Sequence, residues 1–348
     1  MKRLIRVGDR SHEVMDVQSR LRALGLEIDD DSGLFGESTK QAVRTFQQRR
    51  QILIDGIVGP NTWDELVEAS WRLGDRTLYL TNPFTRGDDV LALQTRLNAL
   101  GFDAGHADGI FGPDTDQAVR SFQKEYGVAE DGIFGAASHY SLLGLRVDRP
   151  GTAAALREQL KRAEHSGLAS ALVIIDPGHG GSDEGGRTTA GTREGDLCWD
   201  LARRVAARLS VAGARIRFTR TEIEGPDETE RARRANELDG DVFVSLHLNS
   251  HHEGGAAGAS TYFFGGSSTG EALADHIQEE LVRLGIEDCR THARSYPILK
   301  QTRMPAVLVE PLFITNPMEE KRLEDADFRE ALADAVASGI RNFFGATA

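Results

Sequence analysis

Apolar residues in the first 145 positions fall at helical spacing and stop at glycines. Val14, Val17, Leu21 and Leu24 line one face of a short amphipathic helix, which Gly25 is suited to close. The glycine-rich turn Ser32-Gly33-Leu34-Phe35-Gly36 leads into a second helix, with Thr39 near its start and Ala42, Val43 and Phe46 on one face. Asp55-Gly56-Ile57-Val58-Gly59-Pro60 then turns the chain into a third helix that ends near Leu66. The same series recurs with Val90, Leu93, Leu97, Leu100 and Gly101. A shift of 76 places lays residues 14–66 on 90–142 without a gap, and 22 of 53 positions are identical. Gln18/Gln94, Phe35/Phe111, Ala42/Ala118, Phe46/Phe122 and Asp55/Asp131 are among them. The repeat predicts two small all-α bundles of three helices each, residues 1–72 and 82–145.

Residues 146–169, with Pro150 and Gly151 and a helix predicted over Ala153–Ala163, read as a linker. From Ala171 the period changes. Apolar runs at 171–176, 214–219, 241–248, 259–264 and 305–314 predict strands. Between and after them, 196–212, 228–238, 269–284 and 327–344 carry helical spacing, as in Leu197, Leu201, Val205 and Leu209. Such alternation predicts an α/β domain over residues 170–346, with a largely parallel sheet flanked by helices on both faces.

Composition narrows the partners. A net charge of -13 argues against nucleic acid and against anionic membrane surfaces, both of which call for basic faces. The basic start Met1-Lys2-Arg3 is not followed by the apolar run of an export signal, and no stretch is suited to membrane insertion. This predicts a cytoplasmic chain, or an extracellular one if it is exported by another route. Cys198 and Cys289 imply no disulfide framework and read as packing residues.

Ligands of open α/β sheets collect at the carboxyl ends of strands, and here those ends carry ionisable residues. His179 follows the first strand in Asp176-Pro177-Gly178-His179, His247 ends the strand from Asp241, and Glu310 ends the last apolar run. Glu194 opens the helix after the His179 loop, where the helix dipole favours a carboxylate. Each alone has an ordinary explanation as a packed histidine, a helix-start charge or an ion-pair partner. Together, His179, Glu194 and His247 are a three-ligand zinc set of the catalytic type, open at a fourth position. Glu310 is then suited to be the catalytic base. His252 is a reserve ligand, and the remaining histidines read as surface or packing residues. Asp29-Asp30-Asp31-Ser32-Gly33 lacks the glutamate of a calcium loop and reads as a solvated turn.

With these residues in view, the helical repeats resemble the peptidoglycan-binding domain of wall hydrolases, through L-x-x-L-G, G-x-F-G-x-x-T-x-x-A-V-x-x-F-Q and D-G-x-x-G. The α/β half resembles the zinc amidase family that cleaves N-acetylmuramoyl-L-alanine bonds. The matching segments are Ile175-Asp-Pro-Gly-His-Gly-Gly-Ser-Asp-Glu-Gly185, Glu194-Gly-Asp-Leu197, Phe218-Thr-Arg220, Val244-Ser-Leu-His-Leu-Asn249, Met304-Pro-Ala-Val-Leu-Val-Glu310 and Phe313-Ile-Thr-Asn-Pro317. The resemblance implies one Zn²⁺ on His179, Glu194 and His247, Glu310 as catalytic base, and peptidoglycan glycan strands and stem peptides as partners. One segment departs from the family, which has glycine where Leu312 stands in Glu310-Pro311-Leu312-Phe313. Pro311 removes an N–H, and Leu312 is expected to add bulk beside the base. Two other readings stay open: an amidase-like regulator with a protein partner in wall synthesis, and a phage-type lysin.

Overall fold

The computed structural model describes residues 4–145, 167–169, 171–251 and 255–345. The chain divides into two compact units, Met1–Ala154 and Ala155–Ala348. The linker helix predicted at 153–163 and the reserve residue His252 lie outside the described residues.

The first unit contains the helices α1 (His12–Ala23), α2 (Glu37–Arg50), α3 (Pro60–Glu68), α4 (Asp88–Ala99), α5 (Pro113–Glu125) and α6 (Ala136–Leu143). Each repeat has its own core. Val14, Val17, Leu21, Phe35, Val43, Phe46 and Leu66 fill the first, and Val90, Leu93, Leu97, Phe111, Val119, Phe122 and Leu142 fill the second. Gly25, at φ 77°, closes α1 as predicted: its N–H reaches the carbonyl of Arg22, and the Leu26 N–H returns to Leu21.

Four buried glutamines tie the helices to the turns. The Gln18 amide donates to the Leu34 carbonyl at 2.9 Å and to Thr39 Oγ1 at 3.1 Å, and its oxygen accepts from Gly33 N. Gln94 repeats this on Asp108, Ile110, Thr115 and Gly109. Gln47 and Gln123 serve the second turn of each repeat, reaching Asp55, Ile57 and Thr62, and Asp131, Ile133 and Ser138. One side chain thus satisfies several turn groups that folding removes from water. The identity of Gln18/Gln94 across the repeat has this cause.

The Asp29–Gly33 turn is more than solvated polarity. Asp30 Oδ2 accepts from the backbone N–H of Gly36 at 3.0 Å and of Thr39 at 2.6 Å, capping the start of α2 from outside the helix. Burial works against the Asp30 charge, but the hydrogen bonds from Thr39, Ser38 and Gly36 prevail and hold its pKa below the usual carboxylate value.

The second unit has a six-stranded sheet in the order β2-β1-β3-β6-β4-β5. Its strands are β1 (Leu172–Pro177), β2 (Arg215–Phe218), β3 (Val242–Leu246), β4 (Ala259–Phe263), β5 (Asp288–Ala293) and β6 (Ala306–Glu310). All pairings are parallel except β4 with β6. Alternate residues of the central strands face opposite ways. Val173, Ile175, Val242, Val244, Val307 and Val309 pack with α7 (Glu194–Val211), α9 (Ser268–Arg283) and α12 (Ala326–Gly345). Ile174, Phe243, Ala306 and Leu308 pack with α8 (Glu228–Leu238) and α10 (Pro297–Lys300). The short helix α11 (Pro317–Glu324) opens on Asn316, whose side chain accepts from Met318 N and Glu319 N. No helix among the described residues is long and apolar enough to cross a membrane.

The sequence pattern does not disclose β5. Asp288-Cys-Arg-Thr-His-Ala is an edge strand, with no side chain fully buried and no apolar alternation to read. The strands predicted at 241–248 and 305–314 are shorter in the structure, because the chain leaves the ladder after Leu246 and Glu310 and re-pairs at Asn249 and Phe313.

Replacing Gln94 with leucine strands the Gly109 N–H, while the Ile110 carbonyl keeps Gly112 N, and is expected to cost about 1–3 kcal/mol by denaturant unfolding of the repeats. Because the Asp30 pKa is lowered on folding, its cap stabilises at pH values above the unfolded pKa and is lost as pH falls through the folded one. Asp30→Ala is therefore expected to be less stable than the parent at pH 7, with the gap closing on acidification below about pH 4.

Candidate metal centre

The register of the central strands builds the site. Pro177 lies opposite Leu246 and Leu246 opposite Val309, so the next residues out, Gly178, His247 and Glu310, line one edge of the sheet in sequence-distant order. A Cβ on Gly178 would stand 2.5 Å from the His247 ring. Glycine is therefore what lets the imidazole lie over the end of β1.

His179, next along, adopts a left-handed conformation at φ 57°, a strained choice for a residue with a Cβ. This turns its ring toward His247, with centroids 4.8 Å apart and planes at 74°. Its Nδ1 faces Asp183 Oδ2 at 3.0 Å, and its Nε2 lies 3.1 Å from Glu194 Oε1. His247 Nδ1 approaches the same Glu194 oxygen at 3.4 Å. The loop folds closely over them: at Gly185, φ 67°, a Cβ would meet the His179 ring at 2.6 Å and Glu194 Oε2 at 2.7 Å.

Glu194 opens α7, as the sequence predicts, and is almost wholly buried. Backbone amides hold both of its oxygens: Leu248 N donates to Oε1 at 2.9 Å and Gly186 N to Oε2 at 2.8 Å. Burial by itself would raise its pKa. The hydrogen bonds and charges of His179 and His247 outweigh this and hold the carboxyl far below its ordinary range. For His179, burial disfavours charge but Glu194 and Asp183 more than compensate, so its pKa lies above the usual value.

Ligand atoms of His179, Glu194 and His247 all lie within 4.8 Å of one another. The residues fit a divalent ion on two grounds. The donor set of two imidazoles and one carboxylate suits zinc. In addition, His247 Nε2 is buried without a hydrogen-bond partner among the described residues, so the ring's polar capacity is not met by the protein. Asp183 bonds to the far nitrogen of His179, as carboxylates commonly do behind metal-binding histidines.

Glu310 follows at the end of β6. Burial raises its pKa, and the charge of His247 and a hydrogen bond from Tyr262 only partly offset this. Tyr262 stacks edgewise on Tyr296 at 5.4 Å, and Arg294 lies over its ring at 5.8 Å. The expectation that Leu312 crowds the base is corrected. Its side chain is fully buried in the core on the α7, α9 and α12 face, and its carbonyl accepts from Asn249 N at 2.8 Å. Both cysteines fit a packing role. Cys198 is buried in α7, and Cys289 in β5 donates to the Ala257 carbonyl.

Sequence reasoning missed Asp183, Gly178, Gly185, Tyr262 and Arg294. The first three lie in or beside the quoted His179 segment, where a histidine flanked by glycines hints at close packing. Tyr262 belongs to β4, whose antiparallel place beside β6 no local pattern announces, and Arg294 directly follows β5, the edge strand that pairs with β4.

Fold and site together describe an α/β domain that carries a His/Glu/His cluster able to hold a metal ion and that follows two helical repeats in the sequence. The sequence profile of the N-acetylmuramoyl-L-alanine amidases matches residues 173–342, and that of a peptidoglycan binding domain matches 10–66 and 86–141. The N-acetylmuramoyl-L-alanine amidase CwlM of Mycobacterium tuberculosis is 40% identical over 363 residues, covering 98% of this chain and 89% of its own. The crystal structure of an N-acetylmuramoyl-L-alanine amidase from Clostridium difficile 630 is 29% identical, with a TM-score of 0.50, and covers 51% of this chain and 99% of its own. The chain belongs to the N-acetylmuramoyl-L-alanine amidase family.

Proposed function

We propose that the chain hydrolyses the amide between N-acetylmuramic acid and L-alanine in peptidoglycan, with one zinc on His179, Glu194 and His247 and with Glu310 as catalytic base. The observation that carries this reading is the meeting of two imidazoles on one buried oxygen of Glu194, one strand from Glu310. When bound, zinc supplies a Lewis acid that polarises the amide carbonyl and makes water a competent nucleophile near neutral pH.

The chain's own residues supply orientation and proton transfer. Asp183 fixes the tautomer of His179 by engaging Nδ1, leaving Nε2 aimed at Glu194. Leu248 N and Gly186 N keep the Glu194 carboxylate from rotating. Glu310 takes the proton of the attacking water and returns it to the departing amine of L-alanine. Its burial serves both halves of that exchange, since a carboxyl with a raised pKa holds a proton better than an exposed one. Tyr262, on β4 beside β6, favours the charged form of Glu310 and partly offsets that rise.

The two helical repeats are read as holding the enzyme on its polymer. Each copy alone binds weakly, and two linked copies gain by effective concentration. The matches of both repeats to a peptidoglycan binding domain support this.

Zinc-loaded protein incubated with peptidoglycan is expected to release stem peptides that begin with L-alanine, and chelator is expected to stop the release. Zinc binding without release would overturn the hydrolase reading. Glu310→Gln is expected to keep zinc and lose about 10²–10⁴-fold in turnover. His179→Ala is expected to lose both, and full activity in the glutamine variant would remove Glu310 from the mechanism. In sedimentation with insoluble peptidoglycan, the inactive Glu310→Gln protein is expected in the pellet; recovery in the supernatant would count against the repeats as wall-binding modules.

A further inference from the structure

The segment Phe218-Thr-Arg220 matches the family pattern, yet the chemistry above assigns it no task. Its arginine is buried, 3% exposed, directly behind the centre. The guanidinium spends its donors on backbone carbonyls. Arg220 Nε donates to Pro177 O at 2.9 Å, and Nη2 donates to Gly178 O at 3.0 Å and Gly195 O at 3.2 Å. Nη1 donates to Thr221 O at 3.0 Å and reaches Glu222 O at 3.5 Å. Its side is covered by Trp199 of α7, whose ring lies 5.5 Å away.

The placement of these carbonyls is informative. Pro177 and Gly178 immediately precede His179, and Gly195 immediately follows Glu194. One rigid planar cation therefore joins the strand end that carries the first histidine to the helix turn that carries the carboxylate. Below it, Asp176 is fully buried and accepts from Arg231 Nη1 at 2.8 Å, from Ser245 Oγ at 2.6 Å and from the Thr219 hydroxyl. Arg231 also reaches Pro177 O at 3.3 Å. Asp176 lies in β1 and Thr219 directly follows its parallel neighbour β2, so the base of the loop is pinned from both sides. Burying a guanidinium is costly unless its donors are met, and here they are met by the loop itself.

We propose that Arg220 is the positioning residue of the metal centre: its guanidinium clamps the His179 loop to the start of α7 and so sets the spacing of His179 and Glu194 before any ion arrives. Lysine cannot substitute, because a single ammonium presents its donors from one point and cannot span carbonyls of separate segments. The inference rests on the zinc reading given above, and the test separates the two.

Full-length parent, Arg220→Lys and Arg220→Ala are titrated with zinc against a chromophoric chelator, on the folded fraction of each as judged by circular dichroism. The clamp predicts zinc affinity about 10- to 100-fold weaker in both variants, in line with other residues that support metal ligands. Added millimolar ethylguanidinium is expected to recover part of the loss in Arg220→Ala. A role in stability alone would lower the melting temperature and leave the affinity of the folded protein unchanged. Parental affinity in a folded Arg220→Lys protein would overturn the clamp while leaving the metal reading intact, and that variant decides the matter if the alanine protein does not fold. Failure of the parent itself to bind zinc would overturn both.

Discussion

The buried carboxylate of Glu194 is the constraint around which the α/β unit is arranged. A nearly inaccessible negative charge is costly unless it is paired and hydrogen-bonded. Two backbone amides and two imidazoles meet that demand, and they come from two segments far apart in the chain: His179 and Gly186 from the loop after β1, and His247 and Leu248 from the end of β3. Satisfying one carboxylate therefore draws the loop, the strand ends and the helix start into a single geometry. The same geometry is what a divalent ion with one open position requires.

That arrangement tolerates strain because its surroundings are rigid. His179 sits at a positive φ, and Gly178 and Gly185 leave space that any side chain would fill. Such features persist where neighbouring structure over-determines them. Here the neighbours are the buried set of Asp176, Thr219, Arg220, Arg231 and Ser245, whose hydrogen bonds meet on Asp176 and on the carbonyls around Arg220 and leave Arg231 Nε unpaired among the described residues. The repeats solve a similar problem on a smaller scale. Four buried glutamines substitute for missing secondary structure in the turns, so bundles of about 60 residues keep fixed loops around modest cores.

The departure at Glu310-Pro311-Leu312 shows how local sequence can mislead. Read along the chain, a leucine two places after Glu310 threatens the cleft. In the fold, the strand pairing breaks after Glu310, and Leu312 enters the core while its carbonyl bonds to Asn249.

Much was legible in the sequence. Periodicity set the helices and central strands, the shift of 76 exposed the repeat, and strand ends marked His179, His247 and Glu310 as residues of one rim. These are properties that hydrophobic spacing and parallel topology impose locally, or by a general rule about where such sheets bind ligands. The tertiary structure alone decided the rest: the polar edge strand β5, the antiparallel pairing that brings Tyr262 beside Glu310, the capping by Asp30, and the task of Arg220. Each depends on a contact between residues far apart in the chain, where hydrogen-bond partners are chosen by three-dimensional register, and no pattern within a window of neighbouring residues encodes that choice.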